Sequence, residues 1–174
     1  MRLMIIATLV MVTAGCGNNA PKAAAVEKPK TLIAGEYEVA SEVTKLVSTD
    51  QSTPATSLKL GDKATIRACV AADGTPDPAM FVEAGDRCTA TSSYVRSGRL
   101  SVQYTCTRAG KGELYPNADG NYTADSYKAV VTVGSSFAGD GDYSLTRTLT
   151  AKRVGACLAG GTTAAGGASA PAAG

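Results

Sequence analysis

The stretch Cys88–Cys106, CTATSSYVRSGRLSVQYTC, decides the fold, because it predicts a β-hairpin with a disulfide between its two strands. Apolar and polar residues alternate on both sides of Arg96-Ser97-Gly98, and Gly98 suits the left-handed backbone of a three-residue hairpin loop. That loop places Tyr94 opposite Leu100 and brings Cys88 opposite Cys106. The stretch therefore indicates an antiparallel sheet whose facing cysteines are joined.

The cysteine count supports two disulfides. Four cysteines follow Cys16, and an even number in a secreted chain argues for two bridges, with three possible pairings. The hairpin register selects Cys88 with Cys106, and elimination then leaves Cys69 with Cys157. No CxxC spacing is present, which disfavours a cysteine-rich metal site, so we expect no bound metal.

Other segments alternate in the same way and predict further strands. They lie around Tyr37–Val43, Ala64–Ala68, Tyr127–Val133 and Tyr143–Leu149. The stretch Asp77–Gly85 predicts a helix of about two turns, because it begins with a capping Asp and Pro78 and ends with Gly85. The sequence thus predicts a mainly β protein. We expect an antiparallel meander that forms a strongly curved sheet or small open barrel, with one short helix and two disulfides.

The N-terminus predicts export and lipidation. One basic residue, an apolar run and Ala14-Gly15-Cys16 resemble a bacterial lipoprotein signal peptide, in which the cysteine receives acyl chains such as palmitate. The alternative is ordinary cleavage that leaves Cys16 as a free thiol. Gly17 resembles lipoproteins exported to the outer membrane, so we expect anchoring at its periplasmic face. The predicted segments are a signal peptide (1–15), the lipidated cysteine with a flexible tether (16–30), a β domain (31–157) and a disordered Gly/Ala-rich tail (158–174).

Composition excludes several classes of function. The chain has 17 Lys and Arg against 15 Asp and Glu, without a basic run, so no nucleic-acid partner is indicated. It contains no histidine, which removes the commonest general base and the usual zinc and copper ligands. Asp140 and Asp142 flank Gly141, a pattern far more typical of a turn than of a catalytic carboxylate pair. We therefore expect neither an enzyme nor a cofactor.

The predicted interior offers a candidate binding site. Its residues are five tyrosines and one cation: Tyr37, Tyr94, Tyr104, Tyr127, Tyr143 and Arg147. The tyrosines either line a cavity for a small amphipathic molecule or envelope component, or simply fill the core. Arg147 shares the phase of the apolar residues of its strand, so it either lies at the sheet edge or faces a cavity and receives an anion. The alternative function is a structural or protein-interaction envelope lipoprotein without a small-molecule ligand.

Several motifs carry a resemblance to a known family. They are the opening Gly35-Glu36-Tyr37-Glu38-Val39, the four cysteine positions, the stretch Tyr122–Tyr127 and the closing Lys152-Arg153-Val154-Gly155-Ala156-Cys157. Together they resemble a family of bacterial cell-envelope proteins named domain of unknown function 3617. Members usually open with Pro-Gly-Leu-Trp-Glu, whereas this chain has Ala34 and Tyr37 at the Pro and Trp positions. The resemblance implies an envelope location and this fold, and it implies no mechanism.

Overall fold

Seven antiparallel strands form a single sheet in the computed structural model, which describes residues 29–157. The strands are β1 (Gly35–Ser48), β2 (Lys63–Val70), β3 (Arg87–Arg96), β4 (Arg99–Arg108), β5 (Gly112–Tyr122), β6 (Ser126–Phe137) and β7 (Tyr143–Gly155). Their order in the sheet is β2-β1-β7-β6-β5-β4-β3, so β2 and β3 form its two edges and the sheet is not closed. The predicted antiparallel meander is confirmed. The predicted signal peptide, lipidated Cys16, most of the tether and the tail lie outside the described residues.

One face of the sheet carries the core. In β1, Tyr37, Val39 and Val43 are buried, whereas Glu38 and Glu42 between them are exposed. The same alternation continues through β4 to β7, because successive side chains of a strand point to opposite faces. We call the buried side the inner face. Its largest fully buried side chains, with those of the loops that cover it, are Tyr37, Tyr127, Tyr143, Phe81, Leu32, Met80 and Leu100.

The β3–β4 hairpin confirms the disulfide but corrects the register near the turn. Ser97 and Gly98 both have positive φ, 54° and 77°, which gives a two-residue loop of the type I′ kind instead of the predicted three-residue loop. Tyr94 consequently lies opposite Ser101, and the prediction that it faces Leu100 is wrong. A bulge between Ala90 and Ser92 leaves one residue of β3 without a partner, so the pairing from Ala90 back to Cys88 follows the predicted register. Below it Cys88 faces Cys106 with Cα atoms 4.0 Å apart, and this hairpin disulfide is formed.

The second predicted disulfide is also present. Cys69 and Cys157 have Cα atoms 5.9 Å apart and are 88 residues apart in the sequence. Cys69 lies near the end of β2, and Cys157 follows β7. Because β1 runs between those two strands, this long-loop disulfide ties the edge strand to the end of the last strand.

Residues 71–86, which we call the covering segment, contain less helix than the sequence predicts. Only Pro78–Met80 are helical, as one 3-10 turn in which the Asp77 carboxylate accepts a hydrogen bond from the Ala79 amide. The predicted two-turn helix is wrong. The helix stops because Met80 and Phe81 both insert into the core, which two successive residues of a surface helix would not do. The 3-10 turn contacts both β2 and β3, so this segment covers the gap between the sheet edges.

Candidate functional site

A cavity of about 310 Å³ lies between the inner face of β1 and β2 and the covering segment, and we call it the seam cavity. Its volume is at the low end of the range for small-molecule sites. Cys88 of β3 also borders it, so the cavity lies along the gap between the two edge strands. Its apolar lining includes Val39, Ile66, Met80 and Val82, and its polar lining includes Arg67, Asp77, Glu83, Asp86 and Arg147.

Arg147 is the buried cation of this cavity. It lies on β7, between β1 and β6, and is only 8% exposed. The prediction of an edge position for Arg147 is therefore wrong. Its Nη2 donates to the carbonyl oxygen of Phe81, and its Nε has no hydrogen-bond partner among residues 29–157. Burial lowers the pKa of Arg147, and the charges of Glu83 and Asp86 oppose that shift.

A buried hydrogen-bond donor without a partner lowers the stability of the fold, so the unpaired Nε of Arg147 points to a functional role. A buried polar group without a partner costs about 1–3 kcal/mol, and more when it is charged. Few buried groups in native proteins remain unpaired, so each one needs an explanation. Because Arg147 also borders the seam cavity, its guanidinium is a candidate donor for a hydrogen-bond acceptor on a bound molecule.

Arg108 organises the wall beside Arg147. Its Nε and Nη2 donate to the two carboxylate oxygens of Asp86 at 2.8 Å each, and Nη2 also donates to Glu83 Oε1 at 2.8 Å. Its Nη1 donates to the Ala55 carbonyl at 2.9 Å. These bonds tie the covering segment and the loop after β1 to β4, because the three parts meet at one guanidinium.

The same cluster shifts two pKa values. The hydrogen bonds to Asp86 and Glu83 raise the pKa of Arg108 against the opposing effect of burial. Burial tends to raise the pKa of Glu83, but the hydrogen bonds from Arg108 and Thr56 outweigh it, and that pKa lies below its ordinary value. Arg108 and Glu83 therefore both stay charged at neutral pH.

A larger groove, of about 690 Å³, opens beside the long-loop disulfide, and its polar side chains already have partners. Arg153 Nε donates to the Ala34 carbonyl at 3.0 Å. Asp73 accepts from the Thr75 amide at 2.8 Å, as Asp77 does from Ala79. The seam cavity is the better candidate because it borders a buried donor that has none.

A sequence model of proteins of unknown function (DUF3617) matches residues 28–157. The chain belongs to the DUF3617 family. The match spans all residues that the structure describes, and the predicted resemblance is confirmed. No curated protein and no solved structure matches the chain. Membership in the DUF3617 family identifies the domain without assigning it an activity.

The tyrosines of this DUF3617 domain lie outside the seam cavity. Tyr37, Tyr104, Tyr127 and Tyr143 are at most 3% exposed, and their rings fill the core. Tyr94 is 47% exposed, so its predicted interior position is wrong, because the shorter hairpin loop turns it to the outer face. Of the six predicted binding residues, only Arg147 lines the cavity.

The buried tyrosine hydroxyls have partners within the DUF3617 domain. Tyr37 donates to the Ile33 carbonyl at 2.8 Å, Tyr104 to the Pro76 carbonyl at 3.1 Å and Tyr127 to the Met80 sulfur at 3.1 Å. Burial raises the pKa of Tyr104 and Tyr127. Burial and the nearby Glu83 carboxylate raise the pKa of Tyr143 to about 12. These contacts agree with a role of the tyrosines in the core.

Asp142, one of the two carboxylates that flank Gly141, serves the loops of the domain, as does Asp50. Asp142 accepts hydrogen bonds from Ser135 Oγ and the Phe137 amide, and Asp50 accepts from the amides of Gly141 and Asp142. Over residues 29–157, no group of three or more His, Cys, Asp or Glu side chains could hold a metal ion. The part of the chain that the structure describes contains no helix long and apolar enough to span a membrane.

Sequence reasoning missed the partnership of Arg108 with Glu83 and Asp86 and the apolar lining of the cavity. Arg108 is 22 residues from Asp86 and 25 from Glu83, so no local periodicity could indicate the pairs. In the sequence, Ile66 belongs to a predicted strand and Val82 to a short apolar stretch, and neither pattern indicates a cavity. An available clue was the acidic pair Glu83 and Asp86 beside an otherwise apolar segment, since buried carboxylates need a cation.

Proposed function

We propose that this protein is a lipid-anchored, non-catalytic binding module of the bacterial cell envelope, and that the seam cavity holds a small amphipathic molecule. The observation that carries the proposal is the buried Arg147 guanidinium, whose Nε lacks a partner within residues 29–157, beside an apolar cavity. A cavity with mainly apolar walls and a few polar groups is typical of small-molecule sites.

Residues on three sides support a ligand in this cavity. Val39 and Ile66 form the wall on the sheet, Met80 and Val82 form the wall on the covering segment, and Arg147 contributes the polar group. The apolar walls would bind an alkyl or ring portion, because removing apolar surface from water stabilises a complex. The guanidinium would bind an oxygen atom. An amphipathic molecule presents both kinds of surface.

The envelope location rests on two independent features. Disulfides form and persist in oxidising compartments, and two join the described cysteines. The lipoprotein-like Ala14-Gly15-Cys16 supplies the proposed membrane anchor, at the periplasmic face of the outer membrane. Because two or three acyl chains anchor a protein far more firmly than one, a mature lipoprotein would hold this domain at the surface.

A non-catalytic role fits the side chains of the cavity. The chain has no histidine, and Glu83 and Asp86 are both held by Arg108. Asp77 caps the 3-10 turn, and Arg67 pairs with Glu38 at 3.3 Å. A broad screen for hydrolytic activity tests this part of the proposal, and turnover abolished by Glu83→Gln would contradict it.

Native mass spectrometry of the mature protein from envelope extract tests the binding role. We expect a co-purifying small mass in the wild type and its loss in Ala64→Phe, which places a ring in the seam cavity. The matched control is Ala40→Phe, because Ala40 is exposed on the outer face of β1 and leaves the cavity unchanged. A bare polypeptide in all three proteins would contradict the proposal.

A second candidate is docking of a protein partner on the edge strand β3. Residues 89–94 are all exposed, and no charged residue or proline interrupts them. Edge strands usually carry charges that prevent pairing with another chain, so the part of this edge that follows the bulge between Ala90 and Ser92 suits strand addition. Crosslinking in cells from position 92 would trap a defined protein partner, and Ser92→Lys would reduce it. A partner still trapped at wild-type yield in Ser92→Lys would contradict docking on this edge.

A further inference from the structure

The charges that face Arg147 indicate which kind of amphipathic molecule fits the seam cavity. Two guanidinium groups, those of Arg147 and Arg108, lie among two carboxylates, those of Glu83 and Asp86. The formal charge of this cluster is therefore zero. Each carboxylate is held by Arg108, so neither of them pairs with Arg147 within 4 Å among the described residues.

The charged residues at the rim of the seam cavity add no net positive charge. Arg67 lines the cavity but interacts with Glu36 at 3.9 Å and Glu38 at 3.3 Å. Asp77 adds a carboxylate, which caps the 3-10 turn. The surroundings of Arg147 are thus balanced or slightly negative, and an anion entering the cavity would add an uncompensated charge.

The hydrogen-bonding need of Arg147 also excludes a simple cation or an alkane as the best ligand. A guanidinium has donors and no acceptor, so the bound molecule must present an acceptor to pair with it. An alkylammonium ion offers only donors, and a hydrocarbon offers neither. A carbonyl oxygen accepts hydrogen bonds without bringing a charge into a partly desolvated site.

We propose that the seam cavity selects an uncharged amphipathic molecule whose carbonyl oxygen accepts a hydrogen bond from the Arg147 guanidinium and whose alkyl portion contacts Ile66, Met80 and Val82. This inference rests on the proposed binding function. It narrows the ligand to amides and esters with a short apolar group, in place of the anion that was one of the two alternatives for Arg147.

The test compares three probes of one chain length: hexanamide, hexanoate and hexylammonium. The mature full chain is placed in nanodiscs, empty nanodiscs serve as the blank, and dissociation constants come from ligand-observed NMR titration at pH 7. We expect hexanamide to bind at least about tenfold more tightly than either ion, a difference of about 1.4 kcal/mol.

The variant Arg147→Met supplies the control at the guanidinium. It removes the donor and leaves the Arg108 cluster with one negative charge in excess. We expect about a tenfold loss of hexanamide affinity and a gain for hexylammonium over hexanoate. Arg147→Lys keeps the positive charge but moves the donor atoms. If circular dichroism shows that Arg147→Met does not fold, Arg147→Lys replaces it and must show the expected loss of hexanamide affinity.

Each outcome has a distinct meaning. If hexanoate binds as tightly as hexanamide, the inference that the ligand is uncharged is wrong, but the proposal that the seam cavity binds a small molecule still stands. Unchanged hexanamide affinity in Arg147→Met or Arg147→Lys would overturn the role of the guanidinium. Ala64→Phe separates the site from nonspecific binding, because it must weaken whichever probe binds. No binding of any probe would contradict the proposed function together with this inference.

Discussion

Replacing Arg108 by methionine should destabilise the fold strongly at neutral pH. The Arg108, Glu83 and Asp86 side chains are 17%, 18% and 4% exposed, so their ion pairs are largely buried. Removing one partner of a buried pair costs about 3–5 kcal/mol, because the remaining charge keeps its desolvation cost. Here two carboxylates would lose the only cation within ion-pair distance of them among the described residues, because Arg147 lies more than 4 Å from either. We take the lower end, about 3 kcal/mol, because Glu83 retains its bonds to Thr56 and Ser57.

The loss should shrink as the pH falls. In the wild type the pKa of Glu83 is lowered, so its contribution to stability is present above the ordinary carboxyl pKa and is lost as pH falls through the lowered value. In Arg108→Met the guanidinium is absent and burial raises the pKa of Glu83 instead. Protonation at acidic pH then relieves the variant while it weakens the wild type. The two stabilities therefore converge below about pH 4.

Urea denaturation followed by circular dichroism measures both effects, at pH 7 and at a pH near 3.5. The matched control is Arg67→Met, because Arg67 is 56% exposed and its pairs with Glu36 and Glu38 lie at the surface. Exposed pairs contribute about 0–1 kcal/mol. Equal losses in the two variants, or a loss for Arg108→Met that grows on acidification, would refute the reasoning about burial.

Three further predictions concern stability. Removing the long-loop disulfide, which closes 88 residues, should cost about 4.6 kcal/mol on the chain-entropy model, against about 3.2 kcal/mol for the hairpin disulfide, which closes 18. Paired Cys→Ser variants in urea measure this order, and the reverse order would contradict it. Because the pKa of Tyr143 is raised to about 12, stability should be full below the ordinary tyrosine pKa near 10 and fall as pH rises through 12. Tyrosinate absorbance and circular dichroism across this range should change together, and early ionisation without unfolding would count against burial as the cause. Ser97→Asn should stabilise the fold by up to about 1 kcal/mol, since Ser97 has φ of 54° and Asn tolerates that backbone better. An unchanged urea midpoint would disagree.

The alternation of apolar residues predicted most of the sheet. It identified the inner faces of β1, β6 and β7, because a strand that is buried on one side must repeat its apolar residues every second position. It also found both disulfides from one hairpin. It gave no strand for Gly112–Tyr122, where two glycines and Pro116 conceal the pattern.

The structure shows how β5 accommodates its proline. Pro116 pairs with Val133 of β6, but the ladder to β4 is interrupted between Asn117 and Leu114. A proline removes a ladder hydrogen bond, so a break on one side is the place where it is tolerated. The position of such a break depends on how the neighbouring strands pair, so the local sequence does not predict it.

The amino-acid sequence by itself determined the meander and the two disulfides, because strand alternation and opposed cysteines are local or nearly local patterns. It also placed Arg147 among apolar neighbours. Only the tertiary structure decided that four tyrosines fill the core and that Arg147 borders a cavity. The reason is physical: the cavity forms where β1, β2 and β7 meet the covering segment, and Arg108 reaches carboxylates 22 and 25 residues away. Contacts between such distant residues arise only when the covering segment folds against the inner face of the sheet.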